Sequence, residues 1–214
     1  MKKLKIGFLI DNFHVSHEVF DLVNFVNSSN LFCNPVIIHG YKNFENETLY
    51  KKVLKRIKNH GVLNFLNFVI FFLIIKILDK IEISHAKKQF PNFEKNFDVR
   101  KIPNCKFIET KGFWSKSKIN LNFSDEDISI LENQKFDCLI RCGSGILKGK
   151  ILTVSKFGIL SFHHGDNRVN RGGPAGFWEV YKKIDSTGFI IQILNEELDG
   201  GKVLMRGNIM TLNT

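Results

Sequence analysis

Short apolar runs alternate with a segment of helical spacing at the start of the chain. Residues 1–10 are basic and then apolar, but the run stops at Asp11, which is too short for a secretory signal. We predict a buried strand there. Apolar residues from Val15 to Val26 then recur at helical spacing, and residues 34–39 form a second apolar run. This order of strand, helix and strand predicts a βαβ unit.

The second half of the chain carries clearer boundary signals. Ser124 and Asp127 have the spacing of a capping box, which predicts a helix over residues 125–134. The other predicted elements are strands over residues 106–110, 136–141, 158–162, 187–194 and 202–206, and a helix over residues 175–183. Residues 89–123 are expected to be irregular around their single strand.

Alternating strands and helices predict the fold class. We expect an α/β, Rossmann-like fold with a mostly parallel sheet, helices on both faces and a C-terminal β-hairpin. A chain of 214 residues is expected to form a single domain over residues 1–214. The loop after the first strand, at residues 11–16, has no Gly-x-Gly-x-x-Gly pattern, which argues against a nicotinamide or flavin cofactor.

Residues 51–88 depart from this pattern. A basic run leads into residues 62–75, which are apolar around the whole helix except at Asn64 and Asn67. This stretch is shorter than the about 20 apolar residues that span a bilayer. Three interpretations stay open: a helix buried in the fold or in a subunit contact, a helix on a membrane surface, and a true span. A homodimer or a membrane-surface contact through residues 62–80 is therefore an expected interaction.

The overall charge changes this picture little. The net charge of +10 favours anionic partners, but lysines and asparagines are spread along the whole chain and no nucleic-acid-binding motif occurs. Nucleic acid is therefore disfavoured as a partner. The four cysteines form no Cys-x-x-Cys pair, so we expect a reducing cytoplasm and no zinc site. The inner face of the membrane is the alternative location.

The densest polar segment, residues 160–174, follows an apolar run. It holds two histidines, one aspartate, two arginines and three glycines. Ionisable side chains are costly to bury unpaired, so we predict a shaped loop at the carboxyl end of a strand, where α/β proteins bind ligands. A metal held by His163, His164 and Asp166 is the less favoured interpretation of this loop.

The order of motifs over residues 136–206 resembles the folate-dependent formyltransferases. The matching positions are Gly158, His163, Arg171-Gly172, Pro174, Thr187-Gly188 and Leu198-Asp199-Gly200-Gly201. His163 and Asp199 are separated by 36 positions, close to the spacing of the family's catalytic pair.

This resemblance implies an N-formyltransferase that moves a formyl group from 10-formyltetrahydrofolate to a primary amine of an amino sugar or another small acceptor. It implies that His163 stabilises the oxyanion and donates a proton, while Asp199 supports the imidazole. Ser161 stands where the family usually has an asparagine, and its hydroxyl can still donate a hydrogen bond.

The resemblance also implies a folate site. The segment Cys142-Gly-Ser-Gly-Ile-Leu147 is similar to the loop that holds the pterin through backbone groups, so Ser144, Gly145, Ile146 and Leu147 are expected to bind it. Gly165 and Arg168 are assigned to the same site. Arg168 is expected to bind the folate glutamate or an acceptor phosphate.

Other functions within the family stay open. The N-terminal loop lacks the glycine-rich phosphate cradle of glycinamide ribonucleotide enzymes, and the chain stops before the C-terminal domain of the methionyl-tRNA enzymes. A formyltetrahydrofolate hydrolase is one alternative. A non-catalytic descendant that binds folate or a membrane surface is another, favoured by Ser161 and by the early end of the chain.

Overall fold

One large sheet organises the computed structural model, which describes residues 2–40, 58, 61–117, 119–169 and 176–211. The chain divides into two compact units. One lies within residues 1–42 and 96–214 and contains this sheet, and the other lies within residues 43–95.

The helices and strands have the following bounds. The strands are β1 (Ile6–Ile10), β2 (His14–Ser16), β3 (Val36–His39), β4 (Asn96–Asp98), β5 (Lys106–Glu109), β6 (Phe113–Trp114), β7 (Asn120–Asn122), β8 (Cys138–Cys142), β9 (Ile146–Leu147), β10 (Ile159–His163), β11 (Ser186–Ile193) and β12 (Lys202–Met210). The α-helices are α1 (His17–Ser28), α2 (Val62–Gln89), α3 (Asp125–Asn133) and α4 (Phe177–Tyr181), and 3-10 helices span Val99–Lys101 and Gly149–Thr153.

The large sheet has the strand order β12-β11-β10-β8-β1-β3-β5. The strands from β10 to β5 are parallel, and β11 and β12 form an antiparallel hairpin at the other edge. The predicted α/β class, the mostly parallel sheet and the C-terminal hairpin are confirmed.

Alternating side chains along β1 divide the core between the two faces of the sheet. Phe8 and Ile10 belong to a buried cluster with Val23 of α1, whereas Leu9 belongs to a second cluster with Leu131 of α3. Successive strand residues point to opposite faces, so these clusters define an α1 face and an α3 face. The prediction of helices on both faces is confirmed.

The register of the central strands places three strand ends at one edge. Leu9 of β1 pairs with Arg141 of β8, and Arg141 pairs with Ser161 of β10. The segments that follow these strands therefore begin side by side, at the carboxyl edge where open α/β sheets bind ligands.

Two local predictions were wrong. Val15 lies in β2, which pairs with β4, and not in the first helix. Residues 89–123 contain the extra short strands β4, β6 and β7 besides β5. β4 pairs with β2, β6 pairs with β7, and β7 also pairs with β9. These strands have only two or three residues, so no periodic pattern marks them. The predicted helix over residues 175–183 is shorter, and residue 175 lies outside the described residues.

Helix α2 extends the apolar run at residues 62–75 to Gln89. Ten large apolar side chains between residues 66 and 81 are exposed. Among the described residues, no helix combines the length and the apolar character needed to cross a membrane. The basic run before α2 lies outside the described residues except at Lys58, and a dimer or membrane-surface contact stays a prediction.

The predicted capping box of α3 is present. Ser124 Oγ accepts a hydrogen bond from the Asp127 amide at 3.1 Å, and Asp127 Oδ2 accepts one from the Ser124 amide at 3.2 Å. The other carboxylate oxygen of Asp127 accepts the Lys111 amide at 2.9 Å. One buried carboxylate therefore ties α3 to the preceding segment.

We expect Ser124→Ala to lower the free energy of unfolding by about 1 kcal/mol, the usual cost of losing an N-cap. Asp127→Ala should cost more, because it leaves the amides of Ser124 and Lys111 without this acceptor. Urea denaturation measures both effects, with Ser129→Ala, at an exposed site on the same helix, as the control. Equal stabilities for all three variants would contradict this account of the helix start.

Candidate active site

His163 and Asp199 meet at the carboxyl edge of the sheet. His163 is the last residue of β10, and its Nδ1 lies 3.4 Å from Oδ1 of Asp199 in the turn between β11 and β12. The two side chains are 17% and 15% exposed. The proximity predicted from the sequence is present, and it places a carboxylate within ion-pair distance of a protonated imidazole.

The other ring nitrogen of His163 has different surroundings. Nε2 is buried and has no hydrogen-bond partner among the described residues. A buried polar group left unpaired costs about 1–3 kcal/mol, so native proteins rarely keep one without a functional reason. Within the described residues, the arrangement holds the imidazole at Nδ1 and leaves Nε2 open to a ligand.

The loop after His163 is held by a buried carboxylate. Asp166 is 5% exposed, accepts hydrogen bonds from Nε and Nη2 of Arg168 at 3.0 and 2.5 Å, and pairs with Arg206. The hydrogen bonds from Arg168 lower the pKa of Asp166 to about 2, although burial opposes this shift. A Cβ on Gly188 would lie 2.7 Å from Cβ of Asp166. The Thr-Gly motif thus makes room for this loop.

This geometry bears on Arg168, which was predicted to bind folate or phosphate. Its side chain is 67% exposed, but Nε and Nη2 already bind Asp166. An anion would share the guanidinium with that carboxylate. Gly165 lies in the same loop and is buried. The predicted roles of both residues stay predictions, and the motif positions Arg171-Gly172 and Pro174 lie outside the described residues.

An ion pair between a buried arginine and a partly exposed aspartate, which the sequence pattern did not predict, shapes the loop after β8. Arg141 has a side chain only 3% exposed, and its Nη2 lies 3.0 Å from Oδ1 of Asp11 and donates to the carbonyl of Ser144. Oδ2 of Asp11 accepts the amide and the hydroxyl of Ser144, both at 2.6 Å. The signal in the sequence was an arginine inside an apolar strand beside a strand that ends at an aspartate.

Both glycines of this loop have neighbours within the chain. A Cβ on Gly143 would clash with the Asp11 carboxylate, and one on Gly145, which has φ +84°, would clash with the Trp114 ring. The Ile146 amide donates to the carbonyl of Ile119 at 2.9 Å. A pterin at residues 144–147 would have to use other backbone atoms or replace these internal bonds. The assignment of Ser144, Gly145, Ile146 and Leu147 stays a prediction.

A cavity of about 660 Å³ adjoins this edge. Its lining includes Val19 and Leu22 of α1, Ser161 and Phe162 of β10, and His164. The rings of Phe162 and His164 lie 4.7 Å apart, and the hydroxyl of Ser161 has only a long contact, 3.4 Å, to the carbonyl of Phe162. The charged residues Glu18 and Arg141 also line this cavity, and His163 is not among its lining residues.

Thiol chemistry and metal binding are two other possibilities for side chains at this edge. Burial raises the pKa of the Cys142 thiol to about 12, so this cysteine is protonated near neutral pH and is a poor nucleophile. Within the part of the chain that the structure describes, no group of three or more histidine, cysteine, aspartate or glutamate side chains is placed to hold a metal ion.

Comparison with known proteins gives a structural match. Neither a family model nor a curated protein matches the sequence. The crystal structure of phosphoribosylglycinamide formyltransferase from Anaplasma phagocytophilum is similar with a TM-score of 0.54 and 16% identity, covering 99% of this chain and 74% of that one. A formyltetrahydrofolate deformylase from Pseudomonas syringae is similar with a TM-score of 0.53 and 12% identity, over 98% of this chain and 52% of that one. The likeness spans nearly the whole sequence, and this chain has the α/β fold of the formyltransferases.

Proposed function

We propose that this protein is an N-formyltransferase that moves the formyl group of 10-formyltetrahydrofolate to a primary amine of an amino sugar or another small acceptor. The observation that carries the proposal is the environment of His163. Its Nδ1 faces the Asp199 carboxylate, and its Nε2 is buried without a partner among the described residues. An imidazole oriented at one nitrogen and open at the other suits an oxyanion and proton site.

The chemistry follows from these groups. The amine nitrogen attacks the formyl carbon, a C–N bond forms, and the carbonyl oxygen becomes an oxyanion. The imidazolium of His163 donates from Nε2 to that oxygen, while Asp199 balances its charge at Nδ1. A net proton transfer from the attacking amine to N10 of the folate accompanies cleavage of the old C–N bond. Formamide and tetrahydrofolate leave.

Ser161 completes the proposed site. Residues 161 and 163 lie on the same face of β10, so the Ser161 hydroxyl is placed to give the oxyanion a second donor.

Turnover in the presence and absence of amines tests the proposal. We expect tetrahydrofolate to form from 10-formyltetrahydrofolate when amino sugars, free or nucleotide-linked, are supplied, with the formamide identified by mass spectrometry. Formate release without an amine would make the protein a hydrolase. A protein that produces neither formamide nor formate across the panel would have lost the proposed activity.

His163→Ala should lower kcat by about a hundredfold to ten-thousandfold, the usual contribution of a positioned general acid. Its affinity for 5-formyltetrahydrofolate, measured by calorimetry, should stay within about threefold, because the imidazole acts mainly on the transition state. His85→Ala, which removes an exposed imidazole of α2, is the control and should keep the native rate. A matching loss of folate affinity in His163→Ala would make His163 a structural support.

The two tryptophans report on the predicted pterin loop. Trp114 lies against Gly145, whereas Trp178 lies in α4. In Trp178→Phe, the emission of Trp114 should change when 5-formyltetrahydrofolate is added, because a pterin at residues 144–147 would alter the surroundings of its ring. In Trp114→Phe, the emission of Trp178 should change much less. If both variants bind the ligand and only Trp178 responds, the pterin does not sit at this loop.

A further inference from the structure

The turn that carries Asp199 adopts a backbone conformation that needs support. Asp199 has φ +48°, in the left-handed region that most side chains avoid. Gln192, which is almost fully buried, accepts the Gly201 amide at 3.1 Å, and Asn195 donates to the Gly200 carbonyl at 3.1 Å. These bonds fix the far side of the turn, after Asp199.

The carbonyl of Asp199 itself is held by the loop that follows His163. Nδ2 of Asn167 donates to the Asp199 carbonyl at 3.0 Å, and Oδ1 of Asn167 accepts from Nη1 of Arg206 at 3.1 Å. A carbonyl can only accept and a guanidinium can only donate. The Asn167 amide must therefore turn its nitrogen to the Asp199 carbonyl and its oxygen to Arg206. Asn167 thus has a fixed orientation.

Arg206 is itself held in place. The same Nη1 pairs with the buried carboxylate of Asp166, which also binds Arg168. The side chain of Arg206 is 28% exposed. A chain of contacts therefore runs from Asp166 through Arg206 and Asn167 to the backbone of Asp199. The carboxylate of Asp199 then contacts His163.

We infer that Asn167 and Arg206 are positioning residues, which set the distance between the Asp199 carboxylate and Nδ1 of His163 by holding the Asp199 carbonyl. This inference rests on the proposed function. The Asn167 amide, and not the fold of the turn as a whole, controls the distance between Asp199 and His163.

The test is Asn167→Asp, which keeps the size of the side chain and its contact with Arg206. It replaces the donor facing the Asp199 carbonyl with an oxygen, so two acceptors oppose each other and the turn must shift. We expect kcat to fall by about tenfold to a hundredfold, the range that a shift of about 1 Å in a reacting group can produce. KM for the folate should change less than about threefold.

Asn195→Asp is the matched control. It makes the same chemical change in the same turn but faces the Gly200 carbonyl, so kcat should stay within twofold of the native value. Arg206→Lys is the second variant. Its ammonium keeps the charge beside Asp166 but lacks the guanidinium fork, so we expect a smaller loss of kcat at a similar melting temperature.

Equal losses of kcat in Asn167→Asp and Asn195→Asp, or a native kcat in Asn167→Asp, would overturn the inference. Crystal structures of the two variants separate it from the proposed function. If the native protein transfers no formyl group, the proposed function fails. The inference still requires the His163 to Asp199 separation to lengthen in Asn167→Asp and not in Asn195→Asp, and an unchanged separation would refute it.

Discussion

The ion pair of the buried Arg141 with Asp11 is the constraint on which the carboxyl edge depends. A guanidinium that is almost fully buried cannot be left unpaired, because the desolvation cost would exceed any gain from packing. Asp11, at the end of β1, and the carbonyl of Ser144, after β8, supply its partners. The pair can form only when β1 and β8 are in register, so strand pairing and loop shape are determined together.

A second pair of an arginine and an aspartate holds the loop that follows His163 in the same way. Arg206 and Asp166 join the end of the sheet to the loop that follows β10, as Arg141 and Asp11 join β1 to β8. The hydrogen bonds from Arg168 keep Asp166 ionised well below neutral pH. Charges that stay paired at working pH give a rigid frame, within which an imidazole can change protonation without moving its neighbours.

The sequence was sufficient to predict the sheet, because buried parallel strands are continuous apolar runs and α3 begins at a capping box. It also predicted that His163 and Asp199 would meet, since motif order carries information that periodicity lacks. It did not predict the contacts of Arg141, Asn167 or Arg206. Each acts through a partner at least 30 positions away in the sequence, and a lone polar residue in a strand or loop gives no sign of which distant group it will bind. The sequence resemblance assigns the loop of Gly143 and Gly145 to a pterin. In the structure these glycines also make room for Asp11 and Trp114, which the sequence did not indicate.

The left-handed backbone of Asp199 also bears on how such a protein could evolve. At this conformation the polypeptide accepts glycine, asparagine and aspartate far more readily than other residues. Asparagine or glycine at this position would therefore preserve the turn and the sheet while removing the charge beside His163. In a protein with the proposed activity, one codon change would thus remove the chemistry and leave the fold intact. The same fold can persist in a lineage after its chemistry has gone, so descent from an enzyme and activity as an enzyme are separate questions for every chain built on this turn.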